Sequence, residues 1–196
     1  MSKKESKIGI LCLLIAAMGL FSLNNTPAMA QSVEVLQQKI EDNPEDARSC
    51  YNLGVLLCQS GRFQEALPYY SMAIERDPDM YLAHYNAGIA WKELQEYEKS
   101  IEQYESAIAI KPEHFSSWLN LGGSKQSLGN ADGAADAYRR AAELKPESVD
   151  AQFGLAWMLL QAKRIEEAKA TYQTLAALDP SRAQSLYEQY GVSPTE

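Results

Sequence analysis

Pro44, Pro78, Pro112, Pro146 and Pro180 follow one another at an unbroken interval of 34 residues. A chain with a constant period of that length is built by stacking one short unit on copies of itself. The unit from Tyr81 to His114 shows why. It holds two amphipathic runs of helical period, one carrying His84, Ala87, Gly88 and Trp91, the other Tyr97, Ile101, Tyr104, Ala107 and Ile108. Neither run can bury its apolar stripe alone, so the pair predicts a helical hairpin that leans on its neighbours.

Placed in this register, the chain divides into an N-terminal capping segment at 31–46, four units at 47–80, 81–114, 115–148 and 149–182, and a C-terminal capping helix and tail at 183–196. The first helix is expected from Gln31 to Asn43, with Val33, Leu36 and Ile40 on one stripe. The last is expected from Ser181 to Tyr190, with Leu186, Tyr187 and Tyr190 over the end of the stack. Aligned on their prolines, the four units agree column by column. The eighth residue is Gly54, Gly88, Gly122 or Ala156; the twentieth is Ala66, Ser100, Ala134 or Ala168; the twenty-fourth is Tyr70, Tyr104, Tyr138 or Tyr172. Small residues at these columns let two helix axes approach closely, and the tyrosine fills the space beside the contact. Each proline, with the acidic residues after it, is expected to open the next helix, where its missing N–H costs nothing. The third unit, with Gly122, Gly123 and Gly133, is expected to be the least stable, since a glycine inside a helix costs about 1 kcal/mol against alanine.

This column pattern resembles the tetratricopeptide repeat family over Ala47 to Arg182. The resemblance implies an all-α, right-handed α-solenoid of four helical hairpins with capping helices at both ends. It also implies a non-catalytic scaffold that holds a peptide or protein on its concave face.

Charged residues make up 22% of the chain and hydrophobic ones 46%, the balance of a folded domain. Only the start departs from it. Lys3, Lys4 and Lys7 precede an apolar run from Ile8 to Phe21, and Ala28-Met29-Ala30 follows, which reads as a secretory signal peptide over residues 1–30 cleaved before Gln31. About fourteen apolar residues fall short of the roughly twenty needed to span a bilayer, so an uncleaved anchor is the alternative rather than the expectation. The mature protein is then exported, to the periplasm, with no membrane insertion of its own. Export of this kind suggests a role in cell-envelope or secretion-complex assembly.

The formal net charge is −8, and loss of Lys3, Lys4, Lys7 and Glu5 makes the mature chain two units more negative. Such acidity disfavours nucleic acid and favours a basic peptide or protein partner. Cys50 and Cys58 lie eight residues apart on one helix, about 12 Å of rise, which is too far for a disulfide. His84 and His114 occupy packing and junction columns, and no catalytic, metal or cofactor motif is present. Neither enzyme activity nor a cofactor is expected.

A binding surface has better support. In the first helix of each unit, columns two, five, nine and twelve form a stripe turned about 100° from the packing stripe. It contains Tyr51, Val55, Tyr85, Ile89, Phe153 and Trp157, too apolar for an idle surface. Column six adds Asn52, Asn86 and Asn120, and Gly154 ends that ladder. These nine side chains are the expected peptide-binding groove. By the family resemblance, the asparagines would bond the main chain of a bound peptide. The competing expectation is that the column-five aromatics and the asparagines tie neighbouring units together. A further alternative is a self-assembling structural spacer of a membrane-associated complex, so a homo-oligomer stays open.

Overall fold

The computed structural model describes residues 27–191. The basic start and the apolar run of the expected signal segment therefore lie outside the described residues. Among those residues the chain is all-helical: α1 (Pro27–Asp42), α2 (Ala47–Gln59), α3 (Phe63–Arg76), α4 (Tyr81–Glu93), α5 (Tyr97–Ile110), α6 (Phe115–Ser127), α7 (Ala131–Leu144), α8 (Val149–Gln161), α9 (Ile165–Leu178) and α10 (Pro180–Tyr190). From α2 to α9 the helices pair as antiparallel hairpins, and each hairpin packs on the next. Successive first helices α2, α4, α6 and α8 touch one another, whereas successive second helices do not. The stack therefore curves into an α-solenoid with the first helices on its inner side.

Each hairpin bends through the same local structure. Just past the first helix, the N–H groups of Gly61 and Arg62 in the first hairpin donate back to the carbonyls of Cys58 and Leu57 at 2.9 Å each. The same two bonds recur at Gln95 and Glu96, Gly129 and Asn130, and Lys163 and Arg164. This doubly bonded stop puts one residue in the left-handed region. Glycine fills that place in hairpins one and three, but Gln95 (φ 61°) and Lys163 (φ 60°) adopt it at a steric cost in hairpins two and four.

The prolines do not open the helices as expected. Pro44, Pro78, Pro112 and Pro146 precede the caps Asp46, Met80, His114 and Ser148, and each cap N–H donates to the residue before the proline at 3.0–3.1 Å. Proline is thus the second residue of a β-turn, the position for which its fixed φ is suited. Of the five periodic prolines, Pro180 alone stands at the start of a helix. The carbonyls of the turn prolines are used between elements. Trp118 Nε1 donates to Pro112 O at 2.7 Å, Gln152 Nε2 to Pro146 O at 3.0 Å, and Arg76 Nε to Pro44 O.

The glycine and tyrosine columns interlock. A Cβ on Gly54 or Gly88 would lie 2.6 Å from the ring of Tyr70 or Tyr104, and one on Gly122 would lie 2.8 Å from Tyr138. All three tyrosines are buried, while Tyr172, in the unit that has Ala156 at the glycine column, is only half-buried. Two of the third-unit glycines therefore have a steric reason: Gly122 seats Tyr138, and Gly133 leaves room for the capping carboxamide of Asn130. Gly123 has no such constraint, since the nearest atom to a Cβ there is Tyr138 Oη at 3.7 Å.

The ends differ from expectation in detail. Helix α1 begins at Pro27, four residues ahead of Gln31, and Met29 Sδ accepts a hydrogen bond from Ser60 Oγ at 2.8 Å. At the other end Ala183, Leu186 and Tyr190 pack on the stack, whereas Tyr187 is 41% exposed. Cys50 is buried, Cys58 is half-buried, and both are free thiols.

Candidate functional site

The stripe of columns two, five, nine and twelve lies on the inner side of the curve, because it belongs to the first helices and faces away from their partners. Tyr51, Val55, Tyr85, Ile89, Phe153 and Trp157 are all half-buried, so none is fully consumed by packing. Three cavities open along this face. One of about 400 Å³ is lined by Arg48, Tyr51, Asn52, Met80 and Leu82. A second, of about 300 Å³, includes Val55, Cys58, Phe63, Asn86 and Ile89. The third, of about 270 Å³, includes Gln126, Ala131, Trp157, Met158 and Gln161.

The asparagine column serves the solenoid itself. Asn86 Nδ2 donates to Tyr51 Oη at 3.0 Å, and Asn120 Nδ2 donates to Tyr85 Oη at 3.2 Å. Each rung joins column six of one unit to column five of the unit before it. Asn120 is occupied further, for its Nδ2 also reaches Ser116 O at 3.0 Å and its Oδ1 accepts from Lys92 Nζ at 3.0 Å. The next rung would pair Leu119 with Gly154. Leucine has no hydroxyl to receive a bond and glycine no amide to give one, so the two polar groups vanish together. Gly154 has a steric reason as well, since its Cβ would sit 2.8 Å from the ring of Tyr138. The ring of Tyr138 is thus held between Gly122 and Gly154.

Beyond that break the face is mainly aromatic, with the Arg182 guanidinium, paired to Asp150, 5.7 Å from the Phe153 ring centroid. Phe153 and Trp157 pack with ring centroids 5.9 Å apart. The indole N–H of Trp157 donates to Tyr190 Oη at 2.8 Å, so α10 closes this end of the face. Sequence reasoning singled out Trp157 but missed Tyr190, whose spacing of one unit less one residue carries no obvious signal. Leu82 and Lys92 stand at columns two and twelve of the expected stripe although neither was singled out for the groove, and Met80 was missed as part of the face.

Electrostatics separate the inner face from the rest of the chain. Burial, more than any charge, raises the Tyr51 phenol above its ordinary range, so it remains an O–H donor. Burial likewise raises the Cys58 thiol, which leaves it a poor nucleophile. Asp150 on the stripe is paired with Arg182 at 2.6 Å. Across the lining residues of the three cavities the one formal charge is positive, that of Arg48. The basic partner expected from net charge therefore finds no acidic site in these cavities, because the acids of this chain lie mainly on the second helices and the turns.

A right-handed stack of helical hairpins with a half-buried aromatic stripe on its inner side defines a repeat scaffold. A family model for the tetratricopeptide repeat matches residues 22–194, and the chain belongs to that family. No functionally curated protein matches it. Among solved structures it is similar to YrrB, described as a TPR protein with an unusual peptide-binding site, at 25% identity and a TM-score of 0.71, over 80% of this chain and 84% of that one. It is similar in fold to MamA, at 19% identity and a TM-score of 0.71 over 78% and 89% of the two chains. The same holds for MamA from Desulfovibrio magneticus RS-1, at 17% identity and a TM-score of 0.70 over 92% and 98%.

Proposed function

We propose that this protein is a non-catalytic scaffold that holds an extended peptide segment of a partner protein along its inner face, through Tyr51, Asn52, Val55, Tyr85, Ile89, Phe153 and Trp157. Asn86 and Asn120 support that face by positioning the tyrosines. The observation that carries this reading is the row of half-buried aromatic and aliphatic side chains left over after every hairpin has packed. A monomer has no structural use for such a row. The peptide-binding site of YrrB, on a fold of the same kind, agrees with it. The family also favours it, since tetratricopeptide proteins are generally interaction scaffolds rather than enzymes.

The basic and apolar N-terminal stretch supports export to the periplasm and a role in envelope or secretion-complex assembly. Cleavage before Gln31 would remove the first four residues of α1 together with the Met29 contact to Ser60. The groove and the export are tested separately. A photo-crosslinking residue placed at Tyr85 should trap partner protein that the same residue at Glu102, on a second helix, does not. Identical capture at both positions would remove the groove. Osmotic-shock fractionation should release the protein with periplasmic markers, and retention in the cytoplasm would end the export reading alone.

A further inference from the structure

Hydrogen-bond accounting on the inner face gives the chemistry of the ligand. Tyr51 Oη accepts from Asn86 and Tyr85 Oη accepts from Asn120, so both phenolic protons remain available to an incoming group. One acceptor of the ladder, Asn120 Oδ1, is taken by Lys92 Nζ, which leaves the carboxamide oxygens of Asn52 and Asn86 beside the phenols. Lys92 spends one of its three protons there and keeps its charge. Arg48 is exposed, lines the first cavity, and its guanidinium makes no hydrogen bond or ion pair among the described residues. Asn52 beside it is equally unengaged. From α2 to α6 the face thus presents proton donors and two cations in an otherwise acidic chain. Past the missing Leu119–Gly154 rung it presents Phe153 and Trp157 instead.

We infer that the inner face selects an extended acidic segment, with a carboxylate side chain seated in the cavity of Arg48, Tyr51 and Asn52 and an aromatic or aliphatic side chain against Phe153 and Trp157. Charge complementarity chooses this occupant. A lysine or arginine side chain would meet Arg48 and Lys92 as like charges and would find only the carboxamide oxygens of Asn52 and Asn86 to accept its protons, whereas a carboxylate accepts from both cations, both phenols and the carboxamide N–H groups. The inference rests on the groove reading and gives it a direction, with the acidic end of the ligand at α2 and its apolar end at α8. The outer acids then act against non-specific capture of the same ligand, so attraction is confined to the inner face.

The test is selection of a random-sequence peptide library, displayed on phage, against the full-length protein, followed by fluorescence anisotropy on a selected peptide made synthetically. Enrichment of Asp or Glu together with an aromatic or aliphatic residue is expected. Arg48→Ala should then weaken the selected peptide about fivefold, the range of an exposed charge pair, and raised salt should abolish the difference. Substitution of the peptide's acidic residues by Gln should weaken wild-type binding and leave Arg48→Ala binding unchanged. Arg48 and Asn52 make no side-chain hydrogen bonds among the described residues, so their variants should leave the helix content intact, which circular dichroism checks. Enrichment of Lys or Arg, with binding still lost in Tyr85→Ala, would overturn the acidic ligand and keep the groove. Retention of no sequence at all would overturn both.

Discussion

Tyr104 and Tyr138 occupy one column, and their hydroxyl groups meet different environments. Tyr138 Oη donates to Gln126 Oε1 at 2.9 Å. The Tyr104 hydroxyl is fully buried and out of bonding geometry with every described residue. Nearby Ser100 Oγ is committed to Ser124 Oγ at 2.8 Å. An unsatisfied buried hydroxyl costs about 1–3 kcal/mol, while a satisfied one contributes about 0.5–1.5 kcal/mol. Tyr104→Phe keeps the ring over Gly88 and removes the unsatisfied group, so it should stabilise the protein by about 1 kcal/mol. Tyr138→Phe loses its bond and should destabilise by about the same amount. The two variants, chemically identical changes in the same column, should therefore stand about 2 kcal/mol apart in urea denaturation, or several degrees in Tm. A destabilised Tyr104→Phe would refute the reasoning. If that loss disappeared in a Ser100→Ala background, Ser100 would be the partner that the geometry does not show.

Three further outcomes follow from particular backbone and side-chain positions. Gly123→Ala should stabilise by about 1 kcal/mol, because a methyl group there has room and the helix gains propensity, whereas Gly122→Ala should destabilise by collision with Tyr138; thermal melts compare them. Gln95→Gly relieves a left-handed residue worth about 1–2 kcal/mol and loses about 0.4–1 kcal/mol to unfolded-chain entropy, so a net gain below about 1.5 kcal/mol is expected in the same melts. Burial first, and then Lys111, hold His114 below the usual histidine range, beside the edges of Tyr81 and Tyr85 and bonded to Ser117 Oγ at 2.8 Å. The unfolded chain binds that proton more readily, so this contribution is fully present above about pH 6.5 and is lost as pH falls below it. Denaturation at pH 7 and pH 5.5 should show a loss in the wild type that is smaller in His114→Asn.

The prolines and the tyrosine column made the helical hairpins and their stacking readable directly, because a period of 34 residues leaves a chain no other way to bury two apolar stripes per unit. The close glycine-tyrosine contacts were equally readable, since residue size decides how near two helices can come. The role of the asparagines was not. Along the chain Asn86 and Asn120 look like free amides on a binding face, and only the offset between neighbouring units brings each one to the tyrosine of the unit before. The prolines were also placed one turn off, because the sequence says that a helix must stop there but not which backbone bond the stop uses. Net charge says little about the inner face for a related reason. It sums over the whole chain, while a ligand meets only the inner face, and the curvature that separates Arg48 and Lys92 from the outer acids exists only after stacking. Composition and period determine that this chain is a solenoid with apolar side chains to spare. Which hydrogen bonds remain open on its inner face is decided by the register between units, a property of the assembled stack and of no single repeat.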